Sequence, residues 1–404
     1  DFKSVYGKDW LTTGYTGITG MKKRKEKTFI FDSPRSPRSP WSIPYTQSRS
    51  ALRGEAMKKA ISSLLFLLAC CALTVRAEEI LYIHNSESGE ITMIPIPGHE
   101  IIGRIQIGQW MDYLAASPDG RILYVNRINA LGNVPGSPNI GESGELIAVS
   151  TATNEILWRI QLDGMPHHQT VSKDGRYVFV PYYDTWWLAV VDTEKRAVVK
   201  KIFIGHGGHG TKLSPDGKRL YVGSMMYDFL AIIDTEKLEM IDRIPFSDGV
   251  RPYAFTKDEK LLYVQLSRLH GFVVVDFPAK KQIKTVELPK LPPEVKIPQM
   301  YPHNVNHGIA LTPDEKLLFA NGSIMNYVCV YTHPELKLIK TIPVGKDPNY
   351  VIFSKDGKYA YVTNRQSNDL SIIDVEKLEE VKRLKLGRYP QRMVVVNVPE
   401  RRSQ

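Results

Sequence analysis

Six histidines lie in three pairs along the sequence, and imidazole is the protein side chain that most often binds zinc, copper or iron. They are His167 and His168, His206 and His209, and His303 and His307. Brought together by a fold, they could hold a transition metal (copper, zinc or iron) or ligate a non-covalently bound haem. The same imidazoles could instead hydrogen-bond loop carbonyls or ordered water. A covalent c-type haem is excluded, because the sequence contains no Cys-x-x-Cys-His motif.

Other motifs that carry chemistry are absent from the sequence. It contains no Gly-x-Ser-x-Gly nucleophile motif and no dinucleotide or phosphate-binding loop. Cys329 lies in an apolar segment typical of a strand, where a thiol is expected to be buried and inert. The predicted function therefore depends on where the fold places the histidines.

Seven similar phrases recur along the chain, and four of these histidines lie in them. The phrases begin at Asp112, His167, His209, Arg251, His307, Asn349 and Gln391. Four of the six steps between them are 42 residues long, and the other two are 55 and 56. The longer steps equal one repeat plus an insertion.

Each repeat contains four short runs of alternating apolar and polar residues separated by turn residues, a pattern that predicts strands. Four strands without a helix between them form one propeller blade. Residues 80–107 supply three strands without an inner one, and residues 391–397 supply an inner strand alone. The sequence therefore predicts an all-β, seven-bladed β-propeller of four-stranded blades. Pairing of the N- and C-terminal segments closes the ring and removes exposed sheet edges.

The repeats resemble the YVTN-repeat family of seven-bladed β-propellers. Residues 361–364 read Tyr-Val-Thr-Asn, the signature of that family, and residues 370–377 read LSIIDVEK. The resemblance extends over residues 79–397 and implies the fold. It implies little about activity, because fold alone does not determine function.

One face of the predicted propeller carries the variable loops, namely those between the second and third strands of each blade and those that lead into the next inner strand. Loops that vary on a rigid scaffold are where binding usually occurs. The first residue of each inner phrase is polar, and these residues are expected to surround the axial channel. Besides three histidines, this ring contains Asp112, Arg251, Asn349 and Gln391, with Arg392 as the alternative to Gln391.

Aromatic residues and methionines cluster in two loops of the same face. They are Tyr182, Tyr183, Trp186, Trp187, Met225, Met226 and Tyr227. Aromatic side chains and methionine are enriched in protein interfaces. We therefore expect these residues to dock a protein partner.

The N-terminal part of the chain carries most of the net charge. Residues 1–77 hold 14 Lys and Arg against 5 Asp and Glu, whereas the rest holds 39 against 38. A near-neutral body argues against a nucleic-acid partner. Residues 57–77 have the lysines, apolar run and small residues of a signal peptide. This pattern predicts a bacterial protein that is periplasmic or otherwise exported, with no transmembrane anchor after cleavage. Residues 1–56 are interpreted as upstream DNA translated by mistake or a disordered basic leader, and 78–404 as the propeller.

The favoured expectation is a binding or scaffold subunit, not itself a catalyst, that docks a metal- or haem-containing redox enzyme or cytochrome subunit. Propellers of similar type occur as the haem-free β-subunit of hydrazine synthase, and nitrous oxide reductase holds copper through axial histidines. One alternative is therefore an axial metal or haem site in this chain. Residues 165–180 also resemble the histidine-containing strand of propeller lactonases, so lactone hydrolysis is a further alternative.

Overall fold

A computed structural model of the chain describes residues 78–128, 143–297 and 305–399. The predicted leader at 1–56, the signal peptide at 57–77 and His303 lie outside these residues. Within the described ranges, no helix is both long enough and apolar enough to cross a membrane.

The described residues form seven four-stranded antiparallel sheets. Their strands are β1 (Glu78–Asn85), β2 (Glu90–Pro95), β3 (Gly103–Gln106), β4 (Met111–Ala116), β5 (Ile122–Ile128), β6 (Gly144–Ser150), β7 (Ile156–Leu162), β8 (Thr170–Val171), β9 (Tyr177–Pro181), β10 (Trp187–Asp192), β11 (Ala197–Phe203), β12 (Gly208–Leu213), β13 (Arg219–Ser224), β14 (Phe229–Asp234), β15 (Glu239–Pro245), β16 (Val250–Phe255), β17 (Leu261–Leu266), β18 (Gly271–Asp276), β19 (Lys281–Glu287), β20 (Ile309–Leu311), β21 (Leu317–Gly322), β22 (Tyr327–Thr332), β23 (Leu338–Pro343), β24 (Pro348–Phe353), β25 (Tyr359–Asn364), β26 (Asp369–Asp374), β27 (Glu379–Lys385) and β28 (Pro390–Val398). A 3₁₀ helix spans Ser323–Met325.

Each sheet is one blade, and the blades are numbered in chain order from the inner strands. Blade 1 is β4–β7, blade 2 β8–β11, blade 3 β12–β15, blade 4 β16–β19, blade 5 β20–β23 and blade 6 β24–β27. Blade 7 combines β28 with β1–β3. This arrangement confirms the predicted seven-bladed propeller.

Pairing between the two ends of the described chain closes the ring. β28 is the inner strand of blade 7 and pairs antiparallel with β1, with Ile80 opposite Val396 and Tyr82 opposite Val394. The backbone groups of both strands are therefore satisfied within one sheet. The predicted closure is confirmed.

The apolar core consists of seven clusters, one at each interface between neighbouring blades. Between blades 3 and 4, for example, Tyr221 and Leu230 pack with Leu262 and Val264, all of them buried. The second and third strands are covered on both faces, which explains their continuous apolar runs. Burial of each large apolar side chain stabilises the fold by about 1.5–3 kcal/mol, so the ring is a rigid support for its loops.

The turns between first and second strands share one short hydrogen-bond pattern. In blade 1, Ser117 Oγ donates to Asp119 Oδ1 (2.6 Å), which also accepts the backbone N–H of Arg121 (3.1 Å). We call the side that carries these turns the turn face, and the opposite side the histidine face. On the turn face, side-chain oxygens are engaged by nearby backbone and side-chain groups, as expected of a Ser-x-Asp turn.

Candidate functional site

A cavity of about 880 Å³ opens at the centre of the histidine face. Residues from all seven blades line it, so we call it the axial cavity. The structure places the predicted ring residues in the wall of this cavity. They are Asp112, His167, His209, Arg251, His307, Asn349 and Gln391.

Four imidazoles converge at the base of the axial cavity. Potential ligand atoms of His167, His168 and His209 all lie within 4.8 Å of one another. His307 joins them from blade 5, with its Nε2 3.4 Å from Nε2 of His209. Side chains more than 90 residues apart in sequence therefore form one cluster, because each lies within about three residues of the start of an inner strand.

The strand register explains why these positions face the axis. Pro348 lies opposite Asn364 in blade 6, and Pro390 lies opposite Asn85 in blade 7. Gln391 is therefore the structural counterpart of Asn349, as the 42-residue step predicts. However, Arg392 extends furthest into the cluster. The two residues are both part of the cavity wall rather than alternatives.

Arg392 forms part of the floor of the axial cavity and is only 2% exposed. Its guanidinium carbon lies 4.4 Å from the ring centre of Tyr350 and 5.6 Å from that of Tyr113. Its Nη1 donates to Asn349 Oδ1 (3.3 Å), and its Nη2 contacts the imidazole of His168. No carboxylate among the described residues forms an ion pair with it. Arg392 is thus a buried positive charge whose direct contacts are neutral groups.

The electrostatic environment keeps the buried imidazoles neutral. Burial is the main reason why the pKa values of His168, His209 and His307 lie well below the ordinary value. Arg392 lowers all three further, and Arg251 also lowers the pKa of His209 and His307. A neutral imidazole can accept a proton or bind a metal.

His167 is oriented by a carboxylate. Its Nδ1 lies 2.7 Å from Oδ2 of Asp112, the equivalent residue of the preceding blade. Burial alone would raise the pKa of Asp112, but His167 and then Arg392 outweigh burial, so this pKa is lowered. Asp112 therefore stays ionised and leaves Nε2 of His167 as the nitrogen free for chemistry.

His84 is a buried neighbour of this pair that sequence reasoning missed. It is fully buried in β1, and neither of its ring nitrogens has a hydrogen-bond partner among the described residues. Burial, only partly opposed by Asp112, lowers its pKa to about 3. The signal in the sequence is a histidine at the position where blade 6 has Thr363 of the Tyr-Val-Thr-Asn phrase.

Arg251 supplies a second buried guanidinium to the cavity wall. Its Nε donates to Ser267 Oγ (2.8 Å), and its Nη1 lies 2.7 Å from Sδ of Met225. Burial lowers its pKa to about 10, so it remains charged at neutral pH. The cavity therefore combines neutral imidazoles, one carboxylate-oriented histidine and two buried guanidinium groups.

One of the predicted metal or haem ligands, His206, is not part of the cluster. His206 contacts Met226 and Trp186 instead, with Nδ1 2.8 Å from the methionine sulfur. It therefore belongs to the neighbouring surface loops. His303 lies outside the described residues.

The predicted docking residues divide into three groups. Tyr182 and Met225 are buried, and Tyr182 donates a hydrogen bond to Asp163 Oδ1 (3.2 Å), so neither can contribute to an exposed surface. Tyr183 lines the axial cavity. The remaining four form an exposed aromatic patch together with Phe203. They are Trp186, Trp187, Met226 and Tyr227.

Comparison with known proteins identifies the family of this chain. Residues 100–386 match the family model described as lactonase, 7-bladed β-propeller. The chain belongs to this lactonase family. The sequence-based expectation favoured a scaffold subunit and gave lactone hydrolysis only as an alternative. The family match gives hydrolysis more weight, and it agrees with the resemblance of residues 165–180 to propeller lactonases. The likeness to propellers of the YVTN type is confirmed only as a seven-bladed fold.

Solved structures similar to this lactonase-family chain come from different functional classes. Hydrazine synthase from Kuenenia stuttgartiensis is 19% identical with a TM-score of 0.62, over 73% of this chain and 92% of that one. The periplasmic gluconolactonase PpgL from Pseudomonas aeruginosa is 18% identical with a TM-score of 0.65, over 80% and 100%. Dihydro-haem d1 dehydrogenase NirN is 15% identical with a TM-score of 0.52, over 78% and 74%. These similarities show the fold alone. No curated protein sequence matches the chain.

Proposed function

We propose that the protein is a lactone hydrolase whose general base is His167. The observation that carries this proposal is the Asp112–His167 pair in the axial cavity, with a 2.7 Å contact that leaves Nε2 of the imidazole free. Membership of the lactonase family supports it, as does the fold shared with a gluconolactonase. A histidine that is oriented by a carboxylate can act as a general base.

The reaction follows from the positions of these groups. Nε2 of His167 takes a proton from a water molecule as the water oxygen attacks the lactone carbonyl carbon. The carbonyl oxygen becomes negative in the tetrahedral intermediate. The ring C–O bond then breaks, and the leaving alkoxide takes the proton from His167, which yields the hydroxy acid. Asp112 stabilises the imidazolium in between.

The two buried guanidinium groups suit the negative charge that develops in this reaction. Arg251 and Arg392 both line the axial cavity, and both are almost completely buried. A fixed positive charge in a site that excludes water stabilises an oxyanion more strongly than one in solvent. The neutral imidazoles of His168, His209 and His307 would add hydrogen-bonding groups for substrate hydroxyls.

The proposal is tested by assaying the purified chain against a panel of five- and six-membered sugar and aliphatic lactones. We expect hydrolysis above the uncatalysed rate and a fall in kcat/KM of at least about 100-fold in His167→Gln. His206→Gln is the matched control, because that histidine lies outside the cluster, and it should retain full activity. A chain that hydrolyses no lactone in the panel, or a His167→Gln variant as active as wild type, would overturn the proposal.

A second candidate function is transition-metal binding by the axial histidines. The observation that favours it is the convergence of His167, His168 and His209. The nearby guanidinium of Arg392 opposes it, because its charge repels a cation and its Nη2 contacts the His168 ring. Metal analysis and a visible spectrum of the purified chain test it, with His209→Gln as the variant that should lose metal. Wild-type protein free of metal after incubation with copper or zinc would exclude it.

The exposed aromatic patch is the feature that favours a partner-docking role. Trp186 is 41% exposed and stacks on Phe203 at a ring distance of 5.9 Å, and Tyr227 adjoins it. A redox enzyme or cytochrome subunit in the periplasm is the partner expected from the sequence. Isolation of the protein from its native cells tests this role. A monomer that elutes without partners would contradict it.

A further inference from the structure

A second, smaller cavity lies on the propeller axis beyond the floor of the axial cavity. It measures about 200 Å³ and is lined by residues further along the inner strands, toward the turn face. Three residues line this cavity and also contact Arg392. They are Tyr113, His168 and Tyr350. We call it the lower cavity.

The lower cavity contains one lysine in a ring of uncharged residues. Lys212 lies opposite Tyr221 in its blade, and the residue at this register position in each other blade also lies opposite a tyrosine or a phenylalanine. Those residues are Ala115, Thr170, Ala254, Ala310, Ile352 and Val394. A lysine at this position is therefore not needed to build a blade.

The charge of Lys212 has no acidic partner in the described part of the chain. No ion pair or hydrogen bond joins its Nζ to a carboxylate, and its Nζ lies 5.8 Å from the ring centre of Tyr253. Burial lowers the pKa of Lys212, opposed only by Tyr350. Lys212 is partly buried, and an ammonium group with reduced access to water is costly unless it is paired, so an anion that enters the cavity would lower this cost.

The walls around Lys212 define the rest of a ligand. Ile309, Val351, Ile352 and Phe353 supply apolar surface, and Tyr253 supplies an aromatic ring. An apolar cavity of about 150 Å³ is large enough for benzene, so this one accommodates a ring plus a small charged group.

We propose that the lower cavity binds a small amphipathic monocarboxylate, with its carboxylate on Lys212 Nζ and its apolar part against Ile309, Val351 and Phe353. The site is separate from the proposed hydrolytic centre and does not depend on it. The bound carboxylate would be separated from the axial cavity by the layer formed by Tyr113, Tyr350 and Arg392.

Isothermal titration of the full chain with benzoate tests the proposal. We expect saturable one-to-one binding, weakened at least about 10-fold in Lys212→Met, which keeps the length of the side chain and removes its charge. Lys284→Met is the matched control, because Lys284 is exposed on β19, and it should bind benzoate like wild type. Benzyl alcohol, which has a similar shape without the charge, should bind at least about 10-fold more weakly than benzoate.

Three results would overturn the proposal. They are no binding at benzoate concentrations of about 10 mM, benzoate affinity of Lys212→Met equal to that of wild type, or wild-type affinity for benzyl alcohol equal to that for benzoate. Circular dichroism and lactone hydrolysis by Lys212→Met show whether the variant is folded. Hydrolysis retained together with lost benzoate binding would support the lower site. Absence of hydrolysis in wild type would not affect the benzoate result.

Discussion

The turn face and the histidine face of the propeller use their polar side chains in opposite ways. On the turn face, Asp119 accepts hydrogen bonds from a serine in its own turn and from a nearby backbone amide. On the histidine face, His84 and Nδ1 of His209 lack hydrogen-bond partners among the described residues, and the Arg392 charge lacks a carboxylate. Polar groups on the turn face build the scaffold, whereas those at the axis retain capacity for a ligand.

This difference separates stability from function within one repeat. Buried polar groups without partners are costly, so a cluster of them at one end of the axis indicates that something other than stability maintains it. Substitutions on the turn face should therefore alter stability and leave activity unchanged. Substitutions at the axis should alter activity and, in some cases, increase stability.

Acid should destabilise the histidine face before the turn face. The folded pKa values of His84, His168, His209 and His307 are lowered, so below the ordinary value near 6.5 the unfolded chain binds more protons than the folded one. Their contribution is complete well above pH 6.5 and is lost as pH falls, by at most about 1.4 kcal/mol per pH unit for each histidine. Urea denaturation between pH 7.5 and 4.5 measures this loss, which should total several kcal/mol.

Two variants assign the acid sensitivity to one face. His209→Gln should reduce the slope of unfolding free energy against pH between 6.5 and 4.5. Asp216→Asn should leave this slope unchanged, because the lowered pKa of that turn carboxyl makes its contribution disappear only below about pH 3.8. Equal slopes in all three proteins would contradict the contrast between the faces.

Asp112→Asn should reduce kcat/KM for lactone hydrolysis by about 100-fold, because the amide no longer stabilises the imidazolium of His167. Steady-state kinetics measure the effect. Asp216→Asn, the equivalent change on the turn face, should leave kcat/KM unchanged and lower Tm slightly. If both variants lost activity equally, the catalytic assignment would be wrong.

Arg392→Met should lower kcat/KM about 10-fold while Tm stays equal or rises. The methionine removes a buried charge that has no carboxylate partner, and such replacements are often neutral or stabilising. Thermal unfolding and kinetics on one preparation measure both effects. Arg383→Met, at an exposed arginine paired with Glu380, should leave kcat/KM unchanged. A large fall in Tm for Arg392→Met would show that the guanidinium supports the fold.

Gly357→Ala should cost about 1–2 kcal/mol of stability and no activity. Gly357 has a φ of 74° in a turn of the turn face, and side chains disfavour this left-handed conformation. Its added Cβ would lie 3.4 Å from Pro313. Gly98→Ala is the control, because its backbone is not left-handed and an added Cβ would lie 3.9 Å from Pro95, an ordinary van der Waals distance. Urea denaturation should show a loss for the first variant alone.

The fold could be predicted from sequence because the blades repeat. Each repeat contributes the same strand register, so the 42-residue step was enough to locate the inner strands and to identify Gln391 as the counterpart of Asn349. The ends could be matched because β28 supplies the one strand that β1–β3 lack.

The site could be predicted only in part, because repeat position does not specify how far a side chain reaches. Arg392 lies one residue after the ring position, yet its long side chain crosses the axis to His168. His206 is close to His209 in sequence, but its loop turns it toward Trp186. His84 belongs to a strand phrase that looked like scaffold. Family membership, which favours hydrolysis, was visible only as the likeness of residues 165–180.

The closure of the ring has a consequence for how the protein matures. β28 supplies Arg392 and pairs with β1, which supplies His84. Two of the axial side chains, His84 and Arg392, therefore come from the first and the last propeller strands to be synthesised. An incompletely closed ring would hold His167, His168 and His209 without the guanidinium beside them. Full activity should therefore appear only after β28 has paired with β1, and the rise to full activity would report on the closure of the ring.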